Sequence, residues 1–566
     1  MKYEKLIAVA RGTAPADLIL TNAKIINTFS GDIEKGNIAI YQDRIAGFGD
    51  YKDAKDVIDV RGKHVSPGLI DGHIHTESSM LHIARYAEAV VPRGVTGIVT
   101  DLHEIANVKG IAGIKYVLTC ARLLPFDLYF MAPSCVPATH LETAGARLRP
   151  EDITRLLSFD ENIGLGEMMN SPGVLFADGQ VLAKISASQD KVIDGHAPGL
   201  SGRDLNAYIA SGITSDHEST RFSEAQEKLH KGMYVMIREG SSEKNLEELL
   251  TLVTDKTYKR CVFVVDDRSC SDLLRDGDID AVVRKAIKLG LNPVRAIQMA
   301  TINTAERFGI SNVGAIAPGY MANIVVLSDL RKLSTDMVFY RGKLVARGGV
   351  PLFTTLARAN EQMTHTMNVK PFRIEGLKID TDKWHHPVIE IVPNQIITRS
   401  VSEKAKTAYG AVVADTKRDI LKLVVVERHK ATGNIGRGLV KGFGMKRGAL
   451  ASSIAHDSHN IVAVGTNDKD LYIAIKKVEA LGGGLVAVSN GKVLSALPLP
   501  IAGLLSDLPL NKVVKKLEEV EKAAATLGSK LAAPFATLSF LALPVIPELR
   551  LTDKGLVDVL QFKILE

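Results

Sequence analysis

Along the first 65 residues apolar positions fall in short alternating runs, "DLILTNAKIIN", "GNIAIYQDRIAGFG" and "VIDVRGKHV", broken by Gly, Asn and Asp. Period-two alternation with such breaks predicts half-buried β-strands. The same texture returns at "VGAIAPGYMANIVVL" (residues 313–327) and "MVFYRGKLVARGG" (337–349). The two blocks are expected to form one small β-domain, interrupted by whatever lies between.

What lies between alternates strand and helix. Apolar strand patterns end at His75, Glu104, Cys135, Met169, Pro198, Glu218, Gly240 and Asp267, and most gaps carry a helix-period segment such as "GIAGIKYVLTCARLL" or "SEKNLEELLTLVTD". Eight strands separated by helices predict a parallel (β/α)8 barrel. After a polar passage from about Arg358 to Trp384, strands ("LKLVVVERH", "GGGLVAVSNGKVL") mix with amphipathic helical patterns ("LYIAIKKVEALG", "NKVVKKLEEVEKAAATLG"). The expected fold class is therefore α/β: a TIM barrel over 66–311, a split β-sandwich from 1–65 and 312–370, and an α+β C-terminal domain over 371–566. A chain of 566 residues is too long for one core, which agrees with this division.

The ends of the barrel strands carry the chemistry. In "GLIDGHIHTESSM" His73 and His75 stand one residue apart, so on a strand they share a face, with Cα atoms roughly 6.7 Å apart. One such pair is as often structural as metal-binding. Here, however, His103, Glu104, Glu167, His196, His217, Glu218, Asp266 and Asp267 also stand at strand ends, where barrel active sites lie. His73, His75, His196, His217, Glu167 and Asp266 make a nitrogen and oxygen donor set without thiolate, which suits Zn, Mn or Fe(II). Six ligands exceed the needs of one tetrahedral ion. They suit two divalent ions about 3.5–4 Å apart, bridged by Glu167, that lower the pKa of a bound water from about 15.7 towards about 7. Asp266 is placed to take the proton of that water and pass it to a leaving group. Asp267 is a candidate to hold a substrate amine, and Glu218 and Glu104, with His103 beside them, to protonate or grip a ring nitrogen. For Glu218, Glu104 and His103 a salt-bridged rim position is an equal alternative.

Charge and cysteine usage narrow the setting. Lys and Arg number 70 against 64 Asp and Glu, without a dense basic run, so no nucleic-acid partner is expected. Cys120, Cys135, Cys261 and Cys270 form no C-x-x-C pair, which favours a reducing cytoplasm. The start, "MKYEKLIAVARG", has only five consecutive apolar residues, and no run reaches 18, so neither secretion nor a membrane span is expected.

The order "PGLIDGHIH", a carboxylate after the fourth strand, single histidines after the fifth and sixth, and an aspartate after the eighth resembles the amidohydrolase superfamily. More narrowly, "GHIHTESSM", "DLHEIANV", "PSCVPAT", "GLGEMMN", "DGHAPG", "SDHE", "GNIGRGLVKGFGMKRGALASSIAHDSHN" and "TLSFLALPVIPELRLTDKGLVDV" resemble the bacterial and archaeal adenine deaminases, from about Asp17 to the C-terminus. One departure is Ala536 in "PFATLSF", where Met is usual. The resemblance implies hydrolysis of adenine to hypoxanthine and ammonia, in purine salvage, at two metals for which Mn or Fe(II) is the expected occupant and Zn the alternative. It also implies that His73 and His75 hold one ion, Glu167 bridges, His196 and His217 hold the other, and Asp266 is ligand and proton shuttle. The choice of Asp266 over Asp267 rests on strand parity and analogy. A hydrolase of a cyclic amide or of another amino-purine is the alternative. It is disfavoured because "IGLGEMM" offers no lysine to carbamylate. Deaminases of the other fold need H-x-E with P-C-x-x-C, and here "HTE" has no second half. A homo-oligomer, in its simplest form a dimer, is the expectation for an enzyme of this size. In "AHDSHN", His456, Asp457 and His459 are open to three readings: a further metal site, a cover over the barrel mouth, or a turn.

Overall fold

The computed structural model describes residues 2–381, 385–393, 395–408 and 410–565; Trp384, at the end of the expected polar passage, and the terminal Glu566 lie outside them. Strands from both flanking blocks join in one nine-stranded sheet. The seam is an antiparallel pairing of Ile324–Asp329 with His64–Pro67, Val325 opposite Ser66. Its core gathers Leu20, Ile25, Ile38 and Ile40 from the first block with Ile324, Val326 and Phe339 from the second.

Eight parallel strands form the central barrel: β1 (Leu69–Asp71, continued by Ile74–His75), β2 (Val95–Thr100), β3 (Asp127–Ala132), β4 (Asn162–Met168), β5 (Val192–Gly195), β6 (Ser215–Asp216), β7 (Tyr234–Arg238) and β8 (Cys261–Val264, continued by Asp266–Asp267). β2 is buried at every residue, as expected for a strand covered on both faces. The ring closes where Asp266 and Asp267 pair with Ile74 and His75. That pairing brings the two ends of a nearly 200-residue segment to the same rim.

Two local expectations change. The segment His103–Ala121 is two helical stretches that meet at Gly110, where φ = 56° breaks the helix. The second starts where the periodic segment does, and His103 and Glu104 stand on the first turn of the additional one, three residues past the end of β2. The helical pattern at 242–255 shortens to Leu246–Leu249 and a 3-10 turn at Leu250–Leu252. There Leu246, Leu249 and Leu252 are already buried, and no longer amphipathic face is presented.

In the C-terminal region an eight-stranded sheet is flanked by the helices Asp468–Ala480 and Leu510–Thr526. The second helix buries Val513, Val514, Leu517, Val520 and Ala524, a three-and-four spacing that makes one apolar stripe. Each buried Val or Leu contributes about 1.5–3 kcal/mol. These residues belong to the same continuous core as the barrel's Ile98, Phe130 and Phe263. Two neighbouring antiparallel strands of this sheet, β9 (Ala449–Ser452) and β10 (Ile461–Gly465), are joined by the loop that carries "AHDSHN".

Candidate active site

At the C-terminal rim of the barrel, alternation along β1 turns His73 and His75 to one side, their Nε2 atoms 3.1 Å apart. Asp266 Oδ1 lies 3.2 Å from His75 Nε2 and 3.5 Å from His73 Nε2. Glu167, at the end of β4, presents one oxygen to each histidine pair. Its Oε1 is 3.4 Å from His75 Nε2, and its Oε2 is 2.6 Å from His196 Nδ1 and 3.3 Å from His217 Nε2. Asp266 adopts φ = 66°, a left-handed conformation uncommon outside glycine. That backbone turn is held by its N–H donating to His73 O at 2.8 Å.

Behind this first layer stand two aspartates that the pattern did not single out. Asp194 Oδ2 is 3.5 Å from His73 Nδ1, and Asp101 Oδ1 is 3.5 Å from His75 Nδ1. A carboxylate behind Nδ1 keeps the proton there and leaves the Nε2 lone pair free. Space for Asp101 comes from Gly166, where an added Cβ would stand 2.6 Å from the Asp101 Cβ. Both aspartates sit at strand ends, in "TDLHE" and "VIDGHAP"; polarity at those positions was the available signal.

The remaining predicted residues surround the cluster. Glu218 Oε1 lies 3.5 Å from His217 Nε2. Its carboxylate is gripped by Arg238, through Nη1 to Oε1 and through Nη2 to Oε2 at 3.2 Å, while the same Nη1 donates to Asp266 Oδ2 at 2.8 Å. Arg238, at the end of β7, was not anticipated; its partners stand at the ends of β6 and β8, the two strands paired to its own. His103 Nδ1 is 3.0 Å from Asp101 Oδ1 and 3.5 Å from Glu167 Oε1. Asp267 accepts from the Ser78 hydroxyl. Glu104, 3.5 Å from His103 Nε2, is reached from the C-terminal region by His456 and His459.

Burial by itself would raise these carboxyls. For Glu167 it is overridden by His196, His217 and His75, which hold the group well below the usual carboxylate range. For Asp266 it is overridden by His73, His75 and Arg238, in the same direction. Conversely, burial would keep the imidazoles neutral, but Glu218 and Glu167 draw His196 up to about 9, and Glu167 draws His217 up to about 9. A cluster that demands this much positive charge among buried carboxylates suits divalent cations. Adjacent ligands of an ion bound at about 2.1 Å stand about 3.0–3.4 Å apart, close to the spacings here. His73 Nε2, His75 Nε2, Asp266 Oδ1 and Glu167 Oε1 make one candidate donor set, and Glu167 Oε2, His196 Nδ1 and His217 Nε2 another.

Comparison with known proteins adds independent information. Residues 64–345 match the model of the amidohydrolase family, and residues 395–563 that of the adenine deaminase C-terminal domain. The chain is 59% identical to a protein of Dehalococcoides mccartyi over 99% of this chain and 98% of that one. It is 48% identical to proteins of Desulfatibacillum aliphaticivorans (98% of each chain) and Methanothrix thermoacetophila (99% of each). Each of the three bears the name adenine deaminase.

Proposed function

Because the chain belongs to the adenine deaminase family of the amidohydrolases, we propose that it hydrolyses adenine to hypoxanthine and ammonia at a pair of divalent metal ions held by the rim residues of its barrel. The observation that carries the two-metal reading is Glu167, whose two oxygens face different histidine pairs. His73, His75 and Asp266 would hold one ion, His196 and His217 the other, with Glu167 between them. The donor set of imidazole and carboxylate without thiolate suits Mn or Fe(II), with Zn as alternative. The ions' contribution is Lewis-acid activation of water at neutral pH.

The chain's own groups move the protons. Asp266 accepts the proton of the attacking water at its carboxylate, whose other oxygen Arg238 keeps oriented, and returns it to the leaving nitrogen. The balance is one water: oxygen bonds to C6, one hydrogen ends on N1, and the C6–N bond breaks as ammonia leaves. Glu218 and Glu104, with His103 beside them, would protonate or grip a ring nitrogen, and Asp267, which accepts from the Ser78 hydroxyl, would hold the substrate amine. We place the reaction in purine salvage in the cytoplasm, where four free thiols are at home, and in a homo-oligomer, simplest as a dimer. Among the described residues no helix is long and apolar enough to cross a membrane. The domain division proposed is that of the sequence, 1–65 with 312–370, 66–311 and 371–566.

The test follows adenine absorbance and ammonia release together, on protein stripped of metal and reloaded with Mn(II), Fe(II) or Zn(II). Loss on stripping and recovery near two equivalents per chain is expected. Recovery at one equivalent would retire Glu167 as a bridge. Ring opening of a cyclic amide without ammonia release would move the substrate elsewhere in the superfamily.

A further inference from the structure

The loop between β9 and β10 is pinned from several directions. Arg428, fully buried, donates through Nε to His459 O and through Nη2 to Ala502 O at 3.0 Å. His429 Nε2 lies 2.7 Å from Ser458 O, Asn460 Nδ2 donates to Thr143 O of the barrel at 2.9 Å, and His459 N–H donates to Ala455 O at 2.7 Å. The His456 ring stacks on Phe540, at 4.8 Å between centroids and 22° between planes. His459 itself sits at φ = 54°, a conformation that costs a non-glycine residue about 1–2 kcal/mol. A loop held this firmly in a costly conformation points at something.

It points at Glu104. His456 Nδ1 is 2.6 Å from Glu104 Oε1, and His459 Nε2 bonds Glu104 Oε2. The tautomers follow from the partners. His459 Nδ1 accepts the Ala455 N–H at 3.2 Å, so its proton is on Nε2 and is donated to the carboxylate. A protonated Nε2 has no lone pair for a cation, so although Glu104, His456 and His459 lie within ligand reach of one another, they form a hydrogen-bonded clamp. Glu104 in turn stands one imidazole, His103, away from Glu167.

Resting on the deaminase reading above, we propose that His456 and His459 are positioning residues supplied by the C-terminal domain, which take one lone pair from each oxygen of Glu104 and fix its carboxylate plane towards the bound purine. A carboxylate offers about four acceptor sites; two remain for substrate N–H groups. The C-terminal domain is thereby part of the active site, not an appendage to the barrel.

The test exploits which nitrogen each histidine uses. An Asn amide nitrogen mimics Nδ1, and a Gln amide nitrogen mimics Nε2. The clamp predicts that H456N retains more kcat/KM than H456Q, and that H459Q retains more than H459N, with the misplaced member of each pair losing roughly 10- to 100-fold. A packing role alone predicts the Gln variant ahead at both positions, because Gln is nearer histidine in volume; that order would overturn the proposal. Histidine-selective 15N spectra of the zinc-loaded holoenzyme decide independently of turnover. His459 is expected as the Nε2–H tautomer, and E104Q is expected to shift both His456 and His459. An unprotonated His459 Nε2, or a third metal equivalent lost in H459N, would replace the clamp by a cation site. Wild-type protein that shows the expected spectra yet leaves adenine untouched would refute the deaminase reading while leaving the clamp standing.

Discussion

Replacing Asp194 by Asn tests whether the carboxylates behind the histidines set metal affinity. In the protein Asp194 Oδ1 accepts the Gly195 N–H at 3.0 Å and the Ser215 hydroxyl, while Oδ2 faces His73 Nδ1 at 3.5 Å. An Asn side chain fits the same space, but its carbonyl stays with the Gly195 and Ser215 donors, so the NH2 faces His73 Nδ1. The imidazole must then accept there and carry its proton on Nε2, the atom needed for metal. Two unit charges 3.5 Å apart attract by about 4.7 kcal/mol at an effective dielectric of ~20. A ligating imidazole carries only part of that charge, which leaves about 1.5–3 kcal/mol, or roughly 10- to 100-fold in affinity, the usual range for such outer partners. The assay titrates metal-free D194N with Mn(II) against a competing chelator and fits the two equivalents separately. The equivalent bound through His73 is expected to weaken by that factor. An affinity within about twofold of wild type at both sites would refute the reasoning.

Other outcomes follow from the same geometry. E167Q keeps the shape of the bridge but removes its charge, so bound metal is expected to fall from about two equivalents to about one, read by elemental analysis after dialysis. R238Q leaves the buried Glu218 and Asp266 carboxylates without their shared cation. Breaking a buried pair costs about 3–5 kcal/mol, so a marked fall in thermal midpoint with loss of turnover is expected, and an unchanged midpoint would show the ion pair to be dispensable. Burial and the neighbouring Glu518 push the Glu521 carboxyl up to about 7. A carboxyl raised on folding contributes its stability below the unfolded value, near 4.5, and loses it as pH rises through about 7. Discounted for partial exposure to about 1 kcal/mol, E521Q should melt about 2 °C above wild type at pH 8.5 and level with it at pH 4.5; the reverse order would contradict the burial argument.

Much of the barrel was legible because its signals are local. Apolar runs of strand length ending in His, Glu or Asp need only alternation and position to be read, and His73, His75, Glu167, His196, His217 and Asp266 all stand where that reading puts them on the rim. The shortened helix near Leu246 was not legible, since an apolar repeat does not say how much of it finds a partner surface. Arg238 was not read as the partner of Glu218 and Asp266, although they end the two strands flanking its own, because strand position does not say how far each side chain reaches over the rim.

The amino-acid sequence thus determined by itself the kinds of element, the donor chemistry at the strand ends and the family. Periodicity and residue type act over a few residues, and the long motifs are specific. The tertiary structure decided what depends on distance in space. It set which oxygen of Glu167 faces which histidine, which aspartate lies behind each imidazole, and that His456 and His459, about 350 residues beyond Glu104 in the chain, close on its carboxylate. Hydrogen bonds act over about 3 Å, and only packing the C-terminal sheet against the barrel brings those atoms within that range.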